Sequence, residues 1–399
     1  MNSQEIFNLA DSHVMPTYAR FPVAFVKGEG ATLYDADGKA YIDFASGIGV
    51  NSLGYANAKW ADAVISAVTE QVKKLQHVSN LYYTLPMAQL AEKLTTRSGM
   101  KYAFFSNSGA ESNEGLIKLA RKYSYETYGT HERHVILTLQ NSFHGRTIAT
   151  LEATGQEKFH GYDFFPYTGG FRYVQPGNLD AVKASCSDGK VCAVLIELVQ
   201  GEGGVYPLPK DYVSELEAFC REQDILLLVD EVQTGIGRTG TLFAFQQYGI
   251  TPDAVSFAKG IAGGLPMGGF LVPEKTANVL RAGDHATTFG GNPVCAAAAL
   301  TVLDTLSDDV LAEVVKKGEK IKSSVLAMNS PYVAEARGLG LMIGIKLTGI
   351  SHRDVVAKLL ESGLVALTAG SDTLRFLPPL TISDAEIDKG LEVLKSVLK

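Results

Sequence analysis

Short apolar runs alternate with longer amphipathic segments through the middle of the chain. In the segment Glu114–Tyr123 apolar side chains recur at helical spacing, and Asp211–Gln223 shows the same pattern. Continuous apolar runs that alternate with helices are typical of a mostly parallel sheet covered by helices on both faces. We therefore predict an α/β fold. Its predicted strands are Tyr102–Ser106, His134–Leu139, Val191–Leu198, Ile225–Val229, Ala254–Ala258 and Gly269–Val272.

The two ends of the chain show other patterns. The first 50 residues alternate apolar and polar side chains around an Asp-x-Asp-Gly turn, which predicts a β-meander. After residue 305, a long amphipathic segment and a glycine-punctuated hairpin precede a helix, a strand and a last helix. Ser383 and Glu386 form a capping box at the start of that last helix. We therefore divide the chain into residues 1–50, a large domain over 51–305 and a small C-terminal α/β domain over 306–399.

Composition and charge exclude several classes of protein. Of the 399 residues, 46% are hydrophobic and 20% are charged, so the chain is long and apolar enough to fold around a large core. The formal net charge of −7 argues against a nucleic-acid-binding protein and against adhesion to anionic membranes. The four cysteines form no CxxC pair and the histidines no HExxH motif, so we expect no metal. Without a recognisable signal sequence, the expected location is the cytoplasm.

Two polar segments follow predicted strands directly. The first, Ser106–Glu114, is rich in small residues and opens a helix, whose free N–H groups suit a phosphate; a plain capped strand–helix joint is the alternative. The second places Asp230 and Glu231 at the end of a strand, at the sheet edge where open α/β proteins bind ligands. The run Gly235–Gly240 (GIGRTG) matches the dinucleotide fingerprint G-x-G-x-x-G. However, it neither follows a strand directly nor opens a helix, so a nicotinamide-dependent oxidoreductase is a remote alternative.

Lys259 follows a third strand and precedes the glycine-rich turn Gly260–Gly264. Between an apolar strand and such a turn, burial would lower the pKa of the lysine and leave a nucleophilic amine. A turn suited to phosphate, a strand-end acid and a buried lysine are together what pyridoxal phosphate chemistry requires. The sequence therefore predicts a pyridoxal phosphate site at one edge of the sheet.

These segments carry a family resemblance. The chain resembles the class III pyridoxal-phosphate aminotransferases of fold type I, from about Thr17 to the C-terminus. The strings that match are YARFPVAFVKGEG, LYDADGKAYIDFASGIGVN, FFSNSGAESNE, NSFHGRT, VQGEGGV, LLLVDEVQTGIGRTG, FAKGIAGGLPMGG, TTFGGNP and LRFLPPL. The resemblance implies a large domain with a mostly parallel sheet. It also implies a smaller α/β domain, built from the C-terminal part and the N-terminal segment.

The resemblance implies a role for each matching residue. Lys259 corresponds to the Schiff-base lysine and Asp230 to the partner of the pyridine nitrogen, and these two are the predicted catalytic residues. The other predicted cofactor-binding residues are Ser108, Gly109 and Ala110 at the phosphate, Phe143 and Val232 on the two ring faces, Gln233 at the ring 3′-oxygen, and Thr288, which reaches the phosphate from the neighbouring subunit. The site is therefore expected at a homodimer interface.

The predicted substrate-binding residues are Arg146 and Tyr18 for a substrate carboxylate, Thr287 beside Thr288, and Glu202 with Arg375. In the family, the Glu202–Arg375 pair corresponds to a gate. The glutamate neutralises the arginine when the amine donor is bound, and the freed arginine binds the α-carboxylate of 2-oxoglutarate. A planar guanidinium suits a carboxylate because it donates two parallel hydrogen bonds.

The expected reaction moves the δ-amino group of N2-acetyl-L-ornithine to 2-oxoglutarate. The run Gly47–Gly49 lacks the tyrosine that selects free ornithine, and its small residues leave room for an acylated amino group. Succinylornithine, ornithine, 4-aminobutyrate and an acylated lysine are alternative donors, and a relative without catalysis that only binds ligands is a further alternative. Leu198 replaces a usual proline, and Gly54–Trp60 lacks the usual Gly-His-x-His-Pro motif.

Overall fold

The computed structural model describes residues 1–56 and 60–399, so part of the divergent segment Gly54–Trp60 lies outside the described residues. The strands are β1 Phe25–Glu29, β2 Thr32–Asp35, β3 Ala40–Asp43, β4 Tyr102–Ser106, β5 Val135–Leu139, β6 Phe171–Val174, β7 Val191–Ile196, β8 Val199–Gln200, β9 Tyr206–Pro207, β10 Leu226–Asp230, β11 Ala254–Phe257, β12 Gly268–Val272, β13 Val333–Leu339, β14 Met342–Leu347, β15 Leu364–Val365, β16 Leu367–Ala369 and β17 Thr373–Phe376.

The helices are α1 Ser3–His13, α2 Ser46–Gly49, α3 Ala61–Lys74, α4 Leu85–Ser98, α5 Gly109–Tyr128, α6 Ile148–Ala153, α7 Glu157–His160, α8 Leu179–Cys186, α9 Lys210–Glu222, α10 Ala244–Tyr248, α11 Pro293–Thr305, α12 Asp308–Ala327, α13 His352–Glu361 and α14 Asp384–Val397. Short 3₁₀ turns occur at Lys259–Ala262 and Glu274–Thr276. Within α2, Gly47 and Ile48 have positive φ, so this segment is a tight turn and not a regular helix. In the described part of the chain, no helix is both long and apolar enough to cross a membrane.

A seven-stranded sheet forms the centre of the molecule. Its strand order is β4-β12-β11-β10-β7-β5-β6, and only β12 runs antiparallel to its neighbours. Strands β5, β7, β10, β11 and β12 are buried along their whole length, because helices such as α5 and α9 cover the faces. The α/β prediction is confirmed, and all six predicted strands are present.

One predicted strand is shorter than expected. We predicted Val191–Leu198, but β7 ends at Ile196, and Val199–Gln200 instead pairs with Tyr206–Pro207. Glu197, the next residue, is buried, and its carboxylate accepts backbone N–H groups from Phe143 and Gly201. A polar side chain with local partners therefore follows the strand, where the apolar pattern predicted that the strand continues.

The N-terminal and C-terminal parts of the chain share a sheet. Strands β1, β2 and β3 form the predicted antiparallel meander, and β3 pairs in parallel with β15 from the C-terminal part. A second antiparallel sheet, in the order β13-β14-β17-β16, lies beside helices α12 and α13. The capping box at Ser383 and Glu386 is present at the start of α14. The domain boundaries at residues 50 and 305 stay predictions.

Helix α1 was missed from the sequence. Asn2 caps it by accepting a hydrogen bond from the Glu5 N–H, and the Glu5 carboxylate accepts one from the Asn2 N–H. This capping box was the available signal.

The run Gly235–Gly240 does not lead into a helix; α10 begins only at Ala244. Within the run, Arg238 is 3% exposed, and its guanidinium donates to the carbonyls of Leu341 and Pro378. The run therefore joins the central part of the chain to the C-terminal part. This geometry removes the basis for a dinucleotide site there.

Candidate active site

A cavity of about 410 Å³ lies at the carboxyl edge of the large sheet. The loops after β4, β5, β10 and β11 all contribute to its wall, because parallel strands bring their carboxyl ends to one edge. Ten of the fourteen predicted site residues line it. They are Ser108, Gly109, Ala110, Phe143, Arg146, Glu202, Asp230, Val232, Gln233 and Lys259.

Asp230, the last residue of β10, is 4% exposed and carries a dense set of hydrogen bonds. Its Oδ2 accepts from His144 Nδ1 at 2.8 Å and from Asn113 Nδ2 at 2.7 Å, and its Oδ1 accepts from the Val232 N–H at 3.0 Å. Burial opposes ionisation of this carboxyl, but the donors from His144, Val232 and Asn113 outweigh it and lower the pKa of Asp230. The residue is therefore an anion that faces the cavity.

Lys259 begins the turn after β11. Since Ser256 is paired with Asp230 in the β10–β11 register, the lysine and the aspartate reach the same cavity from neighbouring strands. Burial lowers the pKa of the Lys259 amine, although Asp230 and Glu202 oppose this. Lys259 also has a φ of +43°, a conformation that costs a residue other than glycine about 1–3 kcal/mol. A lysine at a cavity wall whose pKa is lowered by burial is suited to act as a nucleophilic amine.

The first turn of α5 forms one end of the cavity. Ser108 caps the helix by accepting a hydrogen bond from the Glu111 N–H. The N–H groups of Gly109 and Ala110 lie in the first turn, where a helix offers them no carbonyl acceptor. A Cβ on Gly109 would lie 2.6 Å from Val232 Cγ1, so glycine is required where Val232 packs against the turn. Free N–H groups and the positive end of a helix are suited to a phosphate.

Phe143 and Arg146 line the cavity from the loop after β5. The Arg146 guanidinium carbon lies 5.8 Å from the centre of the Phe143 ring and 4.5 Å from that of Phe159. Arg146 is exposed, and within residues 1–56 and 60–399 its guanidinium makes no salt bridge. Its N–H donors are therefore available for a carboxylate that enters the cavity.

The predicted Glu202–Arg375 contact is present. Arg375, in β17, is 3% exposed, and its Nη1 donates to Glu202 Oε1 at 2.6 Å. The same Nη1 lies 3.3 Å from Gln233 Oε1. Arg375 does not itself line the cavity, but its partners Glu202 and Gln233 do. A Cβ on Gly201 would lie 2.2 Å from Gln233 Oε1, so the glycine beside Glu202 leaves room for that amide.

Besides Arg375, three predicted residues do not line this cavity in the single chain. Thr287 and Thr288 line a neighbouring groove of about 930 Å³, where Thr287 Oγ1 accepts from Asn107 Nδ2 and Thr288 is exposed. Tyr18 is 74% exposed in a groove beside α1, and Arg20 stacks on its ring. The N-terminal segment thus carries Tyr18 away from Lys259 within one chain. The roles of all three residues stay predictions.

Three side chains at the site were missed from the sequence. His144 and Asn113 bind Asp230, and Glu197 lines the cavity beside them. Burial raises the pKa of the Glu197 carboxyl to about 7, although nearby His144 opposes the shift. All three lie within or beside segments already singled out, but nothing in their spacing showed that they meet at Asp230.

The wall residues fit pyridoxal phosphate group by group. The first-turn amides of α5 suit its phosphate, the Asp230 carboxylate suits a protonated ring nitrogen, and the Lys259 amine suits its aldehyde. Phe143 and Val232, which also line the cavity, are apolar side chains suited to the faces of a flat ring. The cavity therefore has a matching partner for each part of the cofactor.

Comparison with known proteins gives the same answer. The model of the family "Aminotransferase class-III" matches residues 14–398. The chain is 50% identical over 399 residues to the acetylornithine aminotransferase of Haemophilus ducreyi, covering 100% of this chain and 99% of that protein.

Two solved structures are also similar. The N-acetylornithine aminotransferase from Stenotrophomonas maltophilia K279a is 34% identical with a TM-score of 0.84, over 98% of each chain. The ornithine aminotransferase from Toxoplasma gondii ME49 is 28% identical with a TM-score of 0.94, over 100% of this chain and 95% of that one. The chain therefore belongs to the class-III aminotransferases, enzymes of fold type I that use pyridoxal phosphate.

Proposed function

We propose that this aminotransferase moves the δ-amino group of N2-acetyl-L-ornithine to 2-oxoglutarate, giving N-acetyl-L-glutamate 5-semialdehyde and L-glutamate. The observation that carries the proposal is that Lys259, Asp230 and the free guanidinium of Arg146 line one cavity. The names of the relatives from Haemophilus ducreyi and Stenotrophomonas maltophilia support the choice of donor.

Each residue has a defined task in this proposal. Pyridoxal phosphate, when bound, supplies the aldehyde that takes up the amino group and the ring that withdraws electrons. The first turn of α5 binds the phosphate, and the Asp230 carboxylate holds the proton on the ring nitrogen. Burial lowers the pKa of the Lys259 amine, which favours its role as a nucleophile. Its Nζ holds the cofactor and then accepts a proton from the donor's δ-carbon.

Substrate carboxylates are bound by arginine. Arg146 binds the carboxylate of acetylornithine, while Glu202 neutralises Arg375 through the ion pair present in the structure. For 2-oxoglutarate, Glu202 releases Arg375, and the freed guanidinium binds the α-carboxylate. Since Arg375 is almost fully buried, moving one glutamate side chain switches its charge between paired and available states.

Free ornithine is the second candidate donor. The solved structure with the higher of the two TM-scores is an ornithine aminotransferase, whereas the relative at 50% identity is an acetylornithine aminotransferase. The TM-score describes the backbone, and donor choice depends on side chains, so we give the identity more weight. Val50, directly after the run Gly47–Gly49, lines the cavity, and this run has no tyrosine of the kind that selects free ornithine.

A homodimer in the cytoplasm is part of the proposal. Thr288 lies outside its own chain's cavity and is exposed, as expected of a residue that serves a neighbouring subunit. Beside it, Leu81, Tyr83 and Phe289 are large exposed apolar side chains, 85%, 101% and 61% accessible. Sedimentation velocity of the cofactor-loaded protein tests the dimer.

The four cysteines are free thiols, as expected of a protein in a reducing compartment such as the cytoplasm.

Two experiments test the proposed function. Borohydride reduction followed by peptide mapping should label Lys259 in the wild type. No label should appear in Lys259→Arg, which keeps the charge, and the label should remain in Lys27→Ala, which changes an exposed lysine. Rates with acetylornithine, succinylornithine, ornithine and 4-aminobutyrate at one 2-oxoglutarate concentration then identify the donor. An unlabelled Lys259 contradicts the mechanism, and a higher rate with ornithine contradicts the donor.

A further inference from the structure

Phe159 connects the cofactor side of the cavity to the predicted carboxylate site. It lies in the single-turn helix α7 and is only 6% exposed. Its ring packs edge to face against that of Phe143, with the centroids 5.8 Å apart. The Arg146 guanidinium carbon lies 4.5 Å from the centre of the same ring. The guanidinium therefore has its shorter aromatic contact with Phe159, which does not line the cavity.

The backbone around Phe159 is tied to the loop that carries Phe143 and Arg146. Gln156 Nε2 donates to the Ser142 carbonyl at 3.0 Å, and Thr154 Oγ1 accepts from the His144 N–H at 2.9 Å. The Phe159 N–H in turn donates to the Gln156 carbonyl at 3.0 Å. These hydrogen bonds hold the ring at a set distance from the loop.

We propose that Phe159 is a positioning residue for Arg146: its ring holds the guanidinium so that the N–H donors face the carboxylate of the amine donor. A guanidinium that contacts an aromatic ring through its face keeps its in-plane donors free for a carboxylate. Arg146 is exposed and has no salt bridge among the described residues, so its position depends on the contacts with Phe159 and Phe143. This inference rests on the proposed function, because it takes the carboxylate to be that of acetylornithine.

A second cation lies near the ring. Lys158 Nζ is 4.9 Å from the centre of the Phe159 ring, and Lys158 is exposed. It offers a matched control, since Lys158→Ala removes a cation near the same ring without touching Arg146 directly. The proposal predicts that this change leaves donor binding unaltered.

A double-mutant cycle tests the proposal. The variants are Phe159→Leu, Arg146→Ala and both together, with Phe159→Tyr as the variant that keeps a ring. The half-reaction with acetylornithine alone is followed by the absorbance of the cofactor-loaded enzyme, which separates the apparent Kd of the donor from the rate at saturation. We expect Phe159→Leu to raise the apparent Kd about fivefold, the effect of one cation–π contact, with little change in the saturated rate. Phe159→Tyr should restore the wild-type value.

Two results overturn the proposal. One is that Phe159→Leu raises the apparent Kd by the same factor in the Arg146→Ala background, because the ring would then act independently of the arginine. The other is that Phe159→Leu lowers only the saturated rate or the melting temperature, which is the result for a packing residue. Failure of the proposed function is visible separately, because the wild type would then not react with acetylornithine.

Discussion

The imidazole of His144 donates from Nδ1 to Asp230 Oδ2 at 2.8 Å, and neither side chain is more than 4% exposed. This bond connects the loop after β5 to the end of β10 and helps to keep Asp230 ionised. In the described structure the other ring nitrogen of His144, Nε2, is buried without a hydrogen-bond partner. In the described structure, the hydrogen bond of this imidazole is therefore made to Asp230.

We predict that His144→Ala makes the enzyme more sensitive to acid. Asp230 must be ionised to hold the ring proton, and His144 is among the groups that lower its pKa. Removing the imidazole raises the pKa of Asp230, so a larger fraction becomes protonated as the pH falls. The acidic limb of the kcat/KM profile should move to higher pH, with a loss of at least about tenfold at its acidic end, since a hydrogen bond to a charged group contributes about 1.5–3 kcal/mol.

The control for this prediction is His134→Ala, which removes an exposed imidazole whose hydrogen bond in the described structure is to the backbone carbonyl of His131. Its pH profile should overlay that of the wild type. An unchanged acidic limb in His144→Ala would show that the other donors suffice to keep Asp230 ionised.

We predict that Glu202→Ala impairs the two half-reactions unequally. Without Glu202, the buried Arg375 keeps an unpaired charge when the amine donor is bound. Because Glu202 is itself 31% exposed, solvent weakens the pair, and the expected loss with acetylornithine is about tenfold. The half-reaction with glutamate, whose α-carboxylate needs the free arginine, should be unchanged or faster. Stopped-flow absorbance measures both, and an equal loss in both would argue against a gate.

We predict that Gly109→Ala weakens cofactor binding. The new methyl group would lie 2.6 Å from Val232 Cγ1, so Val232 or the first turn of α5 must move. Overpacking of this kind costs about 1–3 kcal/mol, which corresponds to about fivefold to 150-fold weaker cofactor binding. Titration of the apoenzyme with pyridoxal phosphate, followed by fluorescence, measures the effect. Gly161→Ala is the matched control, because its Cβ meets nothing within 4 Å and its φ is −81°.

We predict that Arg238→Ala is strongly destabilising. The side chain is 3% exposed and donates to the carbonyls of Leu341 and Pro378. Burial lowers the pKa of the Arg238 guanidinium to about 9, although the negative charge of the buried Asp43 opposes the shift. Truncation leaves both carbonyls and a buried acid without this partner. The free energy of unfolding should fall by about 3–5 kcal/mol in chemical denaturation.

Arg221→Ala is the control for Arg238, since the Arg221 side chain is 72% exposed and pairs only with Glu217 one turn away in the described structure. Its effect should stay within about 0.5 kcal/mol. A small effect of Arg238→Ala would mean that water satisfies the carbonyls of Leu341 and Pro378.

The sequence predicted the residues that lie close to strand ends. Asp230 and Lys259 each follow an apolar run, and Gly109 begins a helix just after one. Because the carboxyl ends of parallel strands meet at one edge, the α/β pattern alone predicted that these residues share a site. The limits of the central strands could be predicted from their apolar runs, apart from the end of β7. That strand ends at Ile196, two residues before the end of the apolar run, and the buried Glu197 follows it.

Other relationships depend on contacts between segments far apart in the chain. No spacing rule shows that His144 binds Asp230, that Phe159 contacts Arg146, or that Arg238 reaches the carbonyl of Pro378. The Glu202–Arg375 pair was expected from a family resemblance, and its 2.6 Å distance depends on the position of β17 beside the loop that carries Glu202.

Local periodicity determined the alternation of strands and helices and, through it, which chemically active residues occupy one edge of the sheet, because both depend on neighbours in the chain. Tertiary structure decided which of those residues are ionised, which charges are paired, and which predicted residues stay outside the cavity, as Tyr18 does. Those properties depend on burial and on partners brought together by packing, and a linear pattern does not contain them.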